Sequence, residues 1–495
     1  MYRYKRIILC MVLLVMLISL AGCRTEETYS ENMPREETPS VTPVIGNETR
    51  LVDSGPVQGG TLTLPVTPVD TLNPYQTSDR YVNHISFFVF ESLFVQTSEA
   101  HVEPLLVQSW DEQENTIWGF TLKQDVFFHH DQKLTAYDVK HSMTLLEHSD
   151  SPFYDTEMFN NILEVNVVNS NRLEVVLKTP DPVFIQKLTF PILPQTMEAK
   201  NTEYVSGTGP YRLDSIDESM VKLRRFEKWW EDHPPYIDVV VFKVYREEEM
   251  LDAFQNNETD TAFINNVDFS KYRYRTDMDF HVYPNNEGNF ICVNPNGLFG
   301  QARRQNALFR YISFRLKDMN LGQVQYFDEY NESPIDKEGF RQALIESGLV
   351  WNELQDTFIW GGVPLKTVSI VVPEKEIQKL HMANFLVNIL ADAGVKATTI
   401  RTGDVKRVIR SGNYDLTPIT EELKPWESLE ETQERMRREL GYGNENSYFF
   451  PLYRNQQAIL FKKHIRGEKN AIYWNPYQGF ASWYIPAVMK RSLED

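Results

Sequence analysis

His129, His130 and Asp131 set two imidazoles and a carboxylate side by side, a combination that transition metals accept. The same triplet also reads as a tight turn. Tyr75–Asn83, "YQTSDRYVN", combines charge, an aromatic ring and amides in Asp79, Arg80, Tyr81 and Asn83. It falls between a predicted strand and a predicted helix, where an open α/β lobe faces its cleft, so these four are candidate ligand contacts and a solvated loop is the alternative. Gly207, Thr208, Gly209 and Tyr211 in "SGTGPYRL" form a second candidate, because small residues expose backbone donors; a plain turn is the bland reading. Asn294 and Trp426 are further candidates. Cys292 alternates with apolar neighbours and reads as a buried thiol. The chain has no Gly-x-Ser-x-Gly elbow, no His-Glu-x-x-His pair, no phosphate loop and no zinc-type cysteine spacing. Its scattered carboxylates would fit a glycosidase, but no pair is singled out. The chemistry is that of binding, with no catalytic residue, cofactor or metal expected.

The start of the chain carries a different chemistry. Arg3, Lys5 and Arg6 precede an apolar run from Ile7 to Ile18, and Leu20-Ala21-Gly22-Cys23 follows. This resembles the lipobox of bacterial lipoproteins, which implies a signal peptide over 1–22 and a diacylglyceryl group on Cys23; an uncleaved anchor helix is the alternative. Two acyl chains, at ~0.8 kcal/mol per buried methylene, give stable anchoring. Residues 23–57 are rich in Glu, Thr, Ser and Pro and read as a disordered tether with a reach on the order of 30 Å. The formal charge is −19 and falls to −22 without Arg3, Lys5 and Arg6, which excludes nucleic-acid binding by bulk electrostatics. Cys10 leaves with the signal, and with Cys23 lipidated Cys292 has no disulfide partner.

The elements that must position the candidates begin at Gly59-Gly60. "GGTLTLPV" alternates as a strand, and "VNHISFFVFESLF" from Val82 reads as a largely buried helix. Thr135 is a predicted N-cap with Asp138 at the third helical position. "LEVNVVNSNRLEVVLKTP" reads as a hairpin turning at Asn-Ser-Asn, Tyr211 to Ile216 as a strand, and "PPYIDVVVFKVY" as another from Ile237. From Asn289 a second helix–strand alternation starts, and "FFPLYRNQQAILF" with the aromatic C-terminus reads as strands and loops returning to an earlier core.

The order of "GGTLTL", "DTLNPYQTSD", "FESLF", "EPLLVQSW", "FTLKQDVFFHHDQKLTAYDV", "GTGPYRL", "FEKWWEDHPPYIDVVVFKV", "AFQNNETDTAFI", "LADAGVKATTI" and "SGNYDL" resembles the family 5 extracellular solute-binding proteins, the oligopeptide, dipeptide and nickel receptors of ABC importers. The resemblance implies an α/β, two-lobed periplasmic-binding-protein-like fold of type II, of the large cluster with an extra subdomain and a discontinuous first lobe. The expected boundaries are 59–285 for lobe I, with an inserted subdomain at about 100–205, 286–450 for a shortened lobe II, and 451–495 returning to lobe I. The family places a turn at His129–Asp131 and uses residues like Trp229 and Trp230 in packing. The implied function is capture of a ligand, a peptide in the first instance, by a monomeric protein lipid-anchored outside the cytoplasmic membrane, for delivery to an ABC permease and its ATPase subunits. The chain departs from the peptide receptors in lacking their Trp-containing loop with an Asp-Tyr-Pro-Asp-Pro core, whose acid pairs with the peptide amine. Glu421, Glu422 and Glu427 are the available substitutes. A degenerate receptor acting as a sensor, or a lipoprotein hydrolase, are the alternative readings.

Overall fold

The computed structural model describes residues 55–98, 101–197, 205–265, 269–272, 274–319, 321–327, 333–442 and 448–487. Cys23, the signal peptide and nearly all of the tether lie outside the described residues.

Strand β1 (Thr61–Val66) leads into helix α1 (Arg80–Val89). Asp79 caps α1, accepting from Tyr81 N at 2.8 Å and Val82 N at 3.2 Å. The helix is shorter than the apolar run predicts: Phe90 is already extended, because the Val89 carbonyl accepts from Gly209 N at 2.9 Å instead of continuing the helical ladder. Next comes a four-stranded antiparallel sheet in the order Val107–Gln113, Ile117–Leu122, Arg172–Leu177, Ile162–Asn169. Helix α2 (Ala136–Glu147) belongs to the same region; Asp138 accepts from Thr135 N at 2.8 Å and Thr135 Oγ1 at 2.7 Å, as its capping spacing predicts.

Strands β2 (Tyr211–Ile216), β3 (Met220–Arg225) and β4 (Val239–Val244) complete a sheet with β1 in the order β1-β4-β3-β2, β1 and β4 being parallel. Helix α3 (Met250–Gln255) then leads to β5 (Thr261–Asn265) and the long β6 (Met278–Val293). Helices α4 (Ala302–Arg315) and α5 (Lys337–Glu346) precede β7 (Val368–Pro373), α6 (Ile377–Asp392), β8 (Ala397–Thr402), α7 (Val405–Ser411), β9 (Leu416–Glu422) and α8 (Leu429–Leu440). The last long strand is β10 (Phe449–Lys462). The second sheet runs β5-β10-β6-β9-β7-β8, with Val324–Tyr326 also on β10.

Two cores organise this chain. The first joins β1, α1 and β4 to Ile465, Tyr477 and Trp483, so the chain returns to the core it started. The second gathers α4, α5, α6 and β7 around Phe340, Leu386 and Ile370. Strands β6 and β10 belong to both. Met278–Pro284 pairs with the C-terminal half of β10 and Gly288–Cys292 with its N-terminal half, and the register breaks between Pro284 and Gly288. Such a break disrupts the ladder and bends both strands. Arg454 bridges it by donating Nε and Nη2 to the Asn285 carbonyl at 2.8 and 2.5 Å.

Candidate functional site

The register break sits beside a cleft. Two adjoining cavities, of about 300 and 420 Å³, share Ser78, Arg80, Asn286 and Tyr473 in their walls. The inner one is closed by His84, Phe87 and Tyr154 on one side and by Glu422 and Pro425 on the other. The outer one is lined by Asp79, Tyr81, Glu247, Glu287, Gln456 and Gln457. The inner cavity has largely apolar and aromatic walls and the outer one mainly polar side chains, and together they suit a small polar organic ligand.

Arg80 stands where the two cavities meet. Its guanidinium carbon lies 4.8 Å from the Tyr473 ring centroid, 5.0 Å from Tyr81 and 5.9 Å from Phe263. Two of its polar contacts are long, 3.4 Å to Gln457 Oε1 and 3.4 Å to the Tyr81 hydroxyl, and Tyr473 is a further hydrogen-bond partner. No described carboxylate forms an ion pair with it. A permanent cation held by ring faces has N–H groups to spare for an anion. Tyr81 donates its hydroxyl to Glu247 Oε1 at 2.9 Å, and burial pushes its pKa up to about 12.

His84, one turn along α1, is 2 % exposed, and its Nε2 has no partner. Burial lowers its pKa well below the usual value, with Arg80 acting in the same direction, so a neutral ring faces the cavity. Asn83 accepts from the Tyr154 hydroxyl at 3.1 Å in the same wall.

Of the residues singled out in the sequence, Asp79, Arg80, Tyr81 and Asn83 are brought together in this cleft. Gly207, Thr208, Gly209 and Tyr211 are not. They are packed behind α1, where a Cβ on Gly207 would lie 1.9 Å from the Val89 carbonyl oxygen and the Tyr211 hydroxyl donates to Ile237 O at 2.9 Å. Asn294 is buried in the second lobe, donating to Gly412 O and Tyr414 O at 2.9 and 2.5 Å. Trp426 lines a neighbouring groove of about 380 Å³ with Asp155 and Arg435. Among the three substitute acids, Glu421 and Glu427 are taken by Arg435, at 2.5 and 3.0 Å, and Glu422 by Lys424 at 2.7 Å through Oε2, while Glu422 Oε1 accepts from Asn286 at 3.1 Å and the residue lines the cavity.

His129 accepts from Gly207 N at 3.2 Å through Nδ1 and donates from Nε2 to Gly209 O at 2.9 Å, and His130 bonds Ser206 at 2.7 Å. Three of these four ring nitrogens therefore serve the glycine loop, and His130 Nε2 donates to Gln132 Oε1 at 3.0 Å. Trp229 and Trp230 donate to Glu91 at 3.0 and 2.8 Å. Cys292 is buried, which pushes its thiol up to about 11.

Sequence reasoning missed His84, Tyr473, Gln456 and Gln457. The adjacent glutamines on an otherwise apolar strand were the available signal for two of them.

Residues 101–419 match the profile of the bacterial extracellular solute-binding proteins, family 5, middle region. The glutathione-binding protein GsiB of Salmonella typhi is 25% identical over 203 residues, which is 39% of this chain and 40% of that protein. The chain thus matches well under two thirds of that relative's length. The nickel ABC transporter structure from Bacillus halodurans superposes with a TM-score of 0.68 at 15% identity, over 86% of this chain and 100% of the other. HbpA2 from Haemophilus parasuis gives 0.68 at 15% identity, over 86% and 100%.

Proposed function

Because the chain belongs to the bacterial extracellular solute-binding proteins of family 5, whose two-lobed α/β fold it has, we propose that it captures a short peptide or peptide-like acid between its lobes and passes it to an ABC permease. The observation that carries this reading is Arg80, a cation framed by Tyr81, Phe263 and Tyr473 at the junction of the two cavities and without a carboxylate partner among the described residues. It takes the ligand's carboxylate. Glu422 and Glu287, on the opposite lobe, take its amine, in the role the missing acidic loop has in peptide receptors. His84 Nε2 and the amides of Asn286 and Gln457 meet the polar backbone between the two ends. The name of the glutathione-binding relative supports a cargo of tripeptide size.

On this reading the protein has no catalytic role and acts as a monomer. Lipid on Cys23 holds it on the outer face of the cytoplasmic membrane beside its permease, and closure about the β6–β10 break presents the loaded form. Among the described residues no helix is long and apolar enough to cross a membrane.

Calorimetric titration with glutathione and with tri- and tetra-alanine tests the cleft. The expected result is saturable binding that weakens at least tenfold in Arg80→Gln, the scale of one charge-assisted hydrogen bond at roughly 1.5–3 kcal/mol. Masking the peptide carboxylate as an amide should weaken the wild type equally. Unchanged affinity in Arg80→Gln, or no peptide bound and none retained in native mass spectra, would sink this assignment.

A further inference from the structure

The second lobe contains a cavity of its own. Strands β7, β8 and β9 run parallel in the order β9-β7-β8, so the chain passes from β7 to β8 on one side and returns to β9 on the other. Where strand order reverses in this way, a crevice opens beyond the carboxyl ends of the strands. Here that crevice is a cavity of about 440 Å³ between Pro373, Gly403 and Thr420, and it shares no wall residue with the cleft at Arg80.

The buried charged group in its wall is Lys379, only 7 % exposed; Lys406, Glu376, Asp404, Glu421 and Glu439 line it as well. Its ammonium donates to Thr420 Oγ1, which donates in turn to Asn289 Oδ1 at 3.0 Å. An ammonium has three protons and this contact uses one; no described carboxylate forms an ion pair with the group. Burial pulls its pKa down to about 8, although Glu376 and Glu287 pull the other way. A buried amine with no carboxylate in ion-pair contact is costly for the fold alone. Of the other acids in the wall, Asp404 accepts from Arg407 N at 2.9 Å and Glu421 and Glu439 lie 2.5 and 3.7 Å from Arg435, while Glu376 acts on Lys379 itself. The opposite wall is apolar, formed by Ile409, Met436 and Leu440.

We infer that this second-lobe crevice binds a small free organic acid, its carboxylate on Lys379 and its apolar body against Met436 and Leu440. The site shares no wall residue with the cleft, although Glu287 of the cleft acts on Lys379, and the Met436 probe reports on this crevice alone, so the two readings fail separately.

The probe is 4-methylpentanoate, added to the full chain carrying methyl-¹³C methionine, with the Met436 signal assigned from Met436→Leu. Saturable movement of that signal is expected with 4-methylpentanoate, and none with 4-methylpentan-1-ol or inorganic phosphate. Lys379→Met, which keeps the apolar stem, should raise the midpoint at least tenfold. Gly403→Leu should abolish the response by filling the crevice; a Cβ there meets nothing within 4 Å, so the fold accommodates it. This variant decides the matter even if Lys379→Met fails to fold. No saturable shift, an equal response to the alcohol or to phosphate, or an unchanged midpoint in Gly403→Leu would overturn the site.

Discussion

Glu91 is a buried carboxyl that takes hydrogen bonds from Trp229, Trp230 and Thr208 and forms no ion pair among the described residues. Burial outweighs those three donors and pushes its pKa from 4.5 up to about 7. The folded state therefore holds this proton more tightly than the unfolded one, and the stability gained is complete below pH 4.5 and lost as the pH rises towards 7. His129, on the other side of the same glycine loop, moves oppositely: burial lowers it from 6.5 to about 4, so its contribution is present above pH 6.5 and lost on acidification. The two slopes oppose each other between pH 4.5 and 6.5. Glu91→Gln should unmask the histidine, making stability rise from pH 5 to 7 by about 2 kcal/mol more than in the wild type, as read by urea melts at the two values. Equal slopes would show that Glu91 does not titrate there. Neither partner set was legible in the sequence. "FESLF", "GTGPYRL" and "FEKWW" lie more than a hundred residues apart at their extremes, and nothing local says that a carboxyl in one meets indoles in another.

Helix α1 carries Arg80 and His84 to the cleft, and the loop at Gly207–Gly209 braces its far end. The start of α1 was legible to within two residues, because the apolar run from Val82 reads as a helix, and Asp79–Asn83 were found because they fall between the first strand and that helix; the Asp79 cap itself was not read. Its end was not, because Phe90-Glu91-Ser92-Leu93 continues the apolar run and only contact with the distant glycine loop stops the helix. Gly207→Ala would drive a methyl into the Val89 carbonyl, a backbone atom that cannot step aside. We expect a loss of roughly 3 kcal/mol or more, read as a fall in Tm, together with weaker solute binding as Arg80 shifts. Gly403→Ala, facing open space, should leave Tm nearly unchanged. Similar Tm values for the two variants would argue against the brace. The break in β6 and β10 is the other element with a mechanical part. Removing the Arg454 bridge in Arg454→Leu leaves the Asn285 carbonyl with two donors fewer and should cost about 1–3 kcal/mol in chemical denaturation.

At the scale of the whole molecule, the alternation of strands and helices announced an α/β protein with two cores, and the aromatic C-terminus announced the return to the first. The cleft itself was less legible, since its walls come from Ser78–Phe87, Phe153–Tyr154, Asn286, Glu422–Pro425 and Tyr473–Asn475. Closure on a solute should bring the lobes together, so small-angle scattering should give a smaller radius of gyration with bound peptide than without. No contraction on saturable binding would mean that the captured form is already the closed one. Deleting the residues after Lys462 should remove Tyr473 from the cleft and strip Tyr477 and Trp483 from the first core. The expected result is a separate low-temperature transition in calorimetry and no solute binding; a single unshifted transition would contradict the shared core. The return also sets a schedule. During synthesis the first lobe emerges early, but Ile459, Phe461, Ile465, Tyr477 and Trp483 are the last pieces of its interior. Until Trp483 has left the ribosome, that half of the molecule lacks the aromatic groups that close it.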